Sequence, residues 1–103
     1  MNNGDFVDGT GLSESRDGEN YPDHLIPLLE KMPYDAVTVG NHELYSKHNI
    51  EYMTRPGGYV DWWGDRYLTS NVNRVSADNA PAPLGHKYKI LRGDQNDNKL
   101  LVF

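Results

Sequence analysis

The sequence predicts an α/β protein, and three observations carry that prediction. Asp35 to Val39 alternates small, β-branched and apolar residues, stops at Gly40, and is followed at once by Asn41-His42-Glu43. This is the pattern of a short buried strand that delivers polar groups from its C-terminal edge. Before it, Leu25, Leu28, Leu29 and Met32 fall at one-face helical spacing. After it, Tyr67 to Val72 is rich in strand formers.

Each element follows in order. Gly4 to Gly11 is a glycine- and aspartate-rich loop of the kind that hangs off a strand end. Only Met1 to Asn3 precede it, so a strand is expected upstream of the sequence. Leu12 to Asn20 is polar, with Asp17-Gly18 as a turn signal. Asp23 is a suitable N-cap for the first helix, Pro27 fits its first turn, and Pro33 ends it. Gly40 is expected to bend the backbone sharply, so that Asn41 and His42 are presented from one loop. Glu43 to Tyr52 reads as a second helix with Leu44, Tyr45, His48 and Tyr52 on one face.

Arg55 to Gly58 and Ser76 to Pro83 are loops by composition. His86 to Leu91 and Leu100 to Phe103 alternate around the turn-rich stretch Gly93 to Asn98, which predicts an antiparallel hairpin. Trp62 and Trp63 are expected to pack as loop residues against the sheet, with an aromatic platform for a base or sugar as the functional alternative. His24 and His48 read as surface or half-buried helix residues, and Asn71 and Asn73 as strand-end amides. Asp94 and Asp97 lack the following glutamate of a calcium loop.

Composition narrows the function. The chain has 103 residues, so at most one domain, and 37% are hydrophobic, which makes its core thin. The net charge of −5, with no Lys/Arg cluster, disfavours nucleic acid and anionic membranes as partners. With no cysteine there is neither a disulfide framework nor a thiolate metal site, so any metal is held by oxygen and imidazole. No apolar run is long enough for a transmembrane helix, and no signal peptide is visible.

Taken together, Gly4-Asp5-Phe6-Val7-Asp8-Gly9, a helix, the Asp35–Val39 strand and Gly40-Asn41-His42-Glu43 resemble the calcineurin-like metallophosphoesterase superfamily. With Tyr67-Leu68-Thr69-Ser70-Asn71-Val72 downstream, the chain looks most like the 5′-nucleotidase branch, in its fungal form. The resemblance implies a partial sandwich of two sheets flanked by helices, a four-layer αββα arrangement when complete. It implies that residues 1–103 are an incomplete domain. It also implies a pair of divalent metal ions (zinc, manganese, iron or similar), with Asp5 bridging them and Asn41 ligating one. His42 then faces the phosphoryl group of a small phosphoester or nucleotide, which a metal-activated water attacks. The compartment suspected from the resemblance is secreted or vacuolar.

Two departures qualify this. The family's upstream Asp-x-His and downstream Gly-His-x-His motifs are not in the sequence; Gly85-His86-Lys87-Tyr88 has one histidine and reads as a strand start. About half of a two-metal site is therefore expected, and the chain alone is expected to bind metal weakly and turn over little. Second, where many nucleotidases have Gly-Asn-His-Glu-x-Asp, this chain has Tyr45. Asp8, three residues after Asp5, is the expected alternative partner of His42, in an Asp–His dyad that fixes the imidazole tautomer. Asp5, Asp8, Asn41 and Glu43 also have plain structural readings as turn, cap and first-turn helix residues. The alternative function is a non-catalytic remnant or interaction module, supported by the missing ligands, the thin core and a surplus of tyrosine and tryptophan expected at the surface.

Overall fold

The computed structural model describes residues 1–7, 24–75, 78–94 and 98–103. The readings made for Asp8 to Asn20, for Asp23 as a cap, for Ser76 and for Asp97 fall outside the described residues. The elements in chain order are α1 (Ile26–Leu29), β1 (Val37–Thr38), α2 (Asn41–Leu44), α3 (Lys47–Met53), α4 (Tyr59–Trp63), β2 (Tyr67–Leu68), β3 (Asn73–Val75), β4 (Pro81–Pro83), β5 (Lys89–Arg92) and β6 (Lys99–Val102). The mixed helix and strand content is the α/β class expected.

The centre is a small parallel sheet. β1 pairs with β2, Val37 opposite Tyr67 and Thr38 opposite Leu68. Asn2 pairs in parallel with Val37 on one side, and His86 with Leu68 on the other. The Asn2 N–H donates to the Ala36 carbonyl at 3.1 Å and Thr38 returns a bond to the Asn2 carbonyl at 3.0 Å. Asn2 thus takes a strand position beside β1 just before the Gly4-Asp5 loop. His86, expected to start a strand, makes only an isolated bridge to Leu68, and the strand itself begins at Lys89.

The regular part of α1 is a single turn, shorter than the spacing implied. Proline stands at its beginning, and the chain continues as turns to Pro33. Its inward residues are Leu25 and Ile26, with Leu29 packed beside them; Leu28 and Met32 are exposed. The expected helix over Glu43 to Tyr52 is two helices, because Ser46 takes an extended conformation (φ −115°, ψ 123°). The break lets α2 bury Glu43 and α3 bury Asn49 and Met53, while Leu44, Tyr45 and His48 stay outside.

Trp62 and Trp63, expected as loop residues, belong to α4 (Tyr59–Trp63), between Gly58 and Gly64. Trp63 and Tyr59 on α4, and Tyr67 on β2, are almost completely buried, so the core is more aromatic than expected. The Tyr59 ring packs edge-on to Tyr67 (5.9 Å between centroids) and to Trp63 (6.2 Å), and Ile26, Val37, Met53 and Leu84 complete the cluster. Trp62 points outward. Burial pushes the Tyr59 and Tyr67 phenols well above their ordinary range.

The stretch from Ser76 to Pro83, expected as loop, ends in β4, which pairs antiparallel with β3. That pair is exposed, where prolines without an N–H are tolerated. β5 and β6 form the expected hairpin, Ile90 opposite Leu101 and Lys89 opposite Val102. Leu91 and Val102 pack on Ala36 and Leu68 of the sheet. The Lys89 Nζ bond to Asp65 at 2.8 Å ties the hairpin to the turn after α4.

Candidate functional site

The site forms where two loops far apart in sequence cross at the end of the parallel sheet. One is Gly4-Asp5-Phe6-Val7, leaving the Asn2 pairing. The other is Val39-Gly40, leaving β1 for α2. Their backbones meet so closely that a Cβ on Gly4 would lie 2.0 Å from the Gly40 nitrogen, and a Cβ on Gly40 would lie 2.0 Å from Asp5 Oδ1. Both glycines are required by this approach. Gly40 itself has φ −97° and ψ 176°, an extended conformation open to any residue, so its role is space and not the sharp bend expected of it.

Glu43 binds the loops together. Its side chain is 1% exposed. Oε2 accepts the N–H of Asp5 and that of Gly40, each at 2.7 Å. Oε1 accepts the N–H of Phe6 at 2.7 Å and of Val7 at 3.2 Å. A buried carboxylate is affordable only with such partners, and hydrogen bonds to a charged acceptor are the stronger kind. Glu43 is the first-turn helix residue expected, and its carboxylate also holds the second loop. The spacing Gly40-x-x-Glu43 is that of a capping box, in which the third helical residue reaches back to the N-cap N–H. Asn41, expected as a cap, instead opens the helix behind Gly40, and the three bonds from Glu43 to the other loop leave no mark in sequence.

Glycine has no side chain to complete the box, and Asp5 supplies the missing acceptor from across the crossing. Asp5 Oδ1 accepts the His42 N–H at 3.1 Å. Asp5 adopts φ 58°, a left-handed conformation that a non-glycine residue keeps only when its surroundings fix it. Here the Glu43 bond to its own N–H, the buried Val7 and the packing of Phe6 on Tyr59 (5.0 Å between centroids) hold it.

The expected site residues are thus placed as follows. Asp5 and the Asn41-His42 pair come together, with Asp5 and Asn41 exposed and His42 half-buried. Asp8 lies outside the described residues. Asn41 Nδ2 donates to the Tyr45 hydroxyl, and the Tyr45 ring stands 5.1 Å from the His42 ring at an interplanar angle of 52°. Tyr45 is no carboxylate, yet in space it reaches both residues. A cleft of about 430 Å³ opens nearby at the ends of β1 and β2, lined by Thr38, Val39, Thr69, Ser70 and Asn71 among others. Asp5, Asn41 and His42 do not line it.

A carboxylate and a carboxamide are hard oxygen donors suited to divalent cations. Their placement on one crossing fits that chemistry. Among the described residues no group of three or more His, Cys, Asp or Glu side chains is placed to hold a metal ion. Among them, too, no helix is long and apolar enough to cross a membrane.

Comparison with known proteins adds context. No family model matches the chain. It is 33% identical over 90 residues to an uncharacterized protein of Saccharomyces cerevisiae, covering 85% of the chain and 14% of that protein. It is 37% identical over 84 residues to an uncharacterized protein of Schizosaccharomyces pombe, covering 77% and 12%. It is 34% identical over 89 residues to a protein of Arthroderma benhamiae named as secreted, covering 84% and 12%. Among solved structures, a 5′-nucleotidase from Candida albicans superposes with a TM-score of 0.70 at 34% identity, over 96% of this chain and 18% of that one. The chain therefore spans 12–14% of the length of these curated relatives. Its α/β fold is similar to a small part of the nucleotidase.

Proposed function

We propose that the chain belongs to a divalent-cation-dependent phosphoester hydrolase, a 5′-nucleotidase-like phosphatase, and carries Asp5, Asn41 and His42 of its site. The observation that carries this reading is the seating of the Asp5 carboxylate against the first turn of α2, beside Asn41 and His42, by a buried glutamate that holds both loops. The similarity to part of a Candida 5′-nucleotidase supports it. A small phosphomonoester or nucleotide is the proposed substrate. Secretion is the proposed destination, in line with the relative named as secreted.

Asp5 and Asn41 would hold the cation pair through side-chain oxygens, completed by ligands from outside the described residues. When bound, the cations supply charge that offsets the phosphoryl oxygens and acidifies a water nucleophile. His42, adjacent to Asn41, would donate a proton to the leaving oxygen as the phosphoester bond breaks. Glu43 acts only through the backbone, by fixing the two loops before substrate arrives, which is the preorganisation such a site requires.

The test is manganese titration of the ¹⁵N-labelled chain. Paramagnetic broadening centred on Asp5, Asn41 and His42 is expected, at weak affinity, with little turnover of a nitrophenyl phosphate. Broadening elsewhere, or none, overturns the cation-site reading, and robust turnover by this chain overturns the half-site reading.

A second reading, a non-catalytic interaction module, draws on the outer face of the hairpin. Tyr88, Ile90, Leu101 and Phe103 are exposed there around an apolar hollow of about 460 Å³. The same titration separates the two, since an interaction module has no reason to collect manganese at Asp5 and Asn41.

A further inference from the structure

We propose that Tyr45 is a positioning residue: its phenol oxygen takes the Asn41 Nδ2–H, turning the carboxamide so that Oδ1 is left for a divalent cation. The inference rests on the cation-site reading and goes beyond it, because Tyr45 stands where the family resemblance implies a carboxylate.

Three observations carry it. The Asn41 amide nitrogen is hydrogen-bonded to the Tyr45 hydroxyl, one helical turn along. The Tyr45 ring lies 5.1 Å from the His42 ring, so one side chain braces both residues of the pair. Tyr45 is 68% exposed and lies outside the aromatic core, so burial in that core does not set its orientation toward Asn41.

The chemistry follows from the carboxamide. Asn has one oxygen and one nitrogen at nearly equal reach, and only the oxygen ligates a hard cation. An exposed Asn loses ligand geometry whenever the amide turns over. A fixed acceptor for the nitrogen removes that freedom, and such outer partners commonly change metal affinity by about 10–100-fold. Tyrosine does this without adding a negative charge next to His42, which a carboxylate at the same place would do.

The test uses the full 103-residue chain as wild type, Tyr45→Phe and Tyr45→Leu. First, ¹⁵N NMR reads the Asn41 side-chain amide without metal. In Tyr45→Phe its two proton resonances are expected to move, while thermal unfolding stays that of the wild type. Second, manganese broadening at Asp5 and Asn41 gives the affinity. Tyr45→Phe is expected to weaken it about tenfold, and Tyr45→Leu to do the same while also shifting the His42 ring signals. Unmoved Asn41 amide protons, or an unchanged manganese midpoint in Tyr45→Phe, overturn the role of Tyr45 while leaving the cation site standing. Absence of broadening in the wild type overturns the cation site and this inference with it.

Discussion

Glu43 accepts the backbone N–H of Asp5 at 2.7 Å across 38 residues of chain, and accepts that of Gly40 at the same distance. One buried carboxylate therefore determines whether the two halves of the site meet. Removing it strands up to four backbone donors, each costing about 1–3 kcal/mol when buried and unpaired. Glu43→Ala is expected to lower the unfolding free energy by at least about 3 kcal/mol, measured from the urea midpoint. Glu43→Gln keeps one acceptor oxygen and is expected to fall between Ala and wild type.

Gly40 tests the crossing from the other loop. A methyl group there meets Asp5 Oδ1 at 2.0 Å and the Asp5 nitrogen at 2.4 Å. Gly40→Ala is expected to cost about 1–3 kcal/mol, the usual range for overpacking. It is also expected to shift the His42 amide resonance as its bond to Asp5 breaks. A wild-type urea midpoint and an unmoved His42 amide would contradict the close approach.

Asp5 has two separable jobs. As acceptor for the His42 N–H it replaces the missing cap of α2, so Asp5→Ala is expected to cost about 1 kcal/mol in urea denaturation. Asp5→Asn keeps an acceptor and is expected to preserve most of that stability. Both are expected to abolish manganese broadening at Asn41, since a bridging position needs a charged carboxylate. Retained manganese binding in Asp5→Asn would place the cation elsewhere.

Adjacent tryptophans are expected to behave in opposite ways. Trp63 is 2% exposed and packs on Tyr59 and Tyr34, whereas Trp62 is 55% exposed. Trp63→Ala is expected to cost about 3–5 kcal/mol. Trp62→Ala is expected to stay within about 0.5 kcal/mol of wild type, as read by thermal or urea unfolding.

Alkali is expected to weaken the fold. Burial raises the Tyr59 and Tyr67 phenols, so the native state holds their protons where the unfolded chain has begun to release them. That stabilisation is complete below the unfolded phenol pKa of about 10 and is lost as pH climbs toward the raised native values. The urea midpoint should fall above about pH 10. The last two tyrosinate absorbance steps should coincide with unfolding.

Local pattern determined a good deal of this protein. The meeting of the Asp5 and Asn41-His42 loops was implied only by the family resemblance, whereas the β1 strand and the hairpin that pairs Lys89 with Val102 were legible from local pattern. These depend on alternation, turn residues and short-range spacing, which neighbours in sequence share. Only the tertiary structure decided which face of each helix is buried. It put Leu28 and Met32 in solvent, split the second helix at Ser46, and buried Tyr59, Trp63 and Tyr67 in one core. It also gave Glu43 and Tyr45 their roles, since a carboxylate's partners 36 to 38 residues away leave no periodic mark in sequence. The physical reason is that burial and hydrogen-bond satisfaction are settled by the whole chain at once, whereas propensity is settled residue by residue.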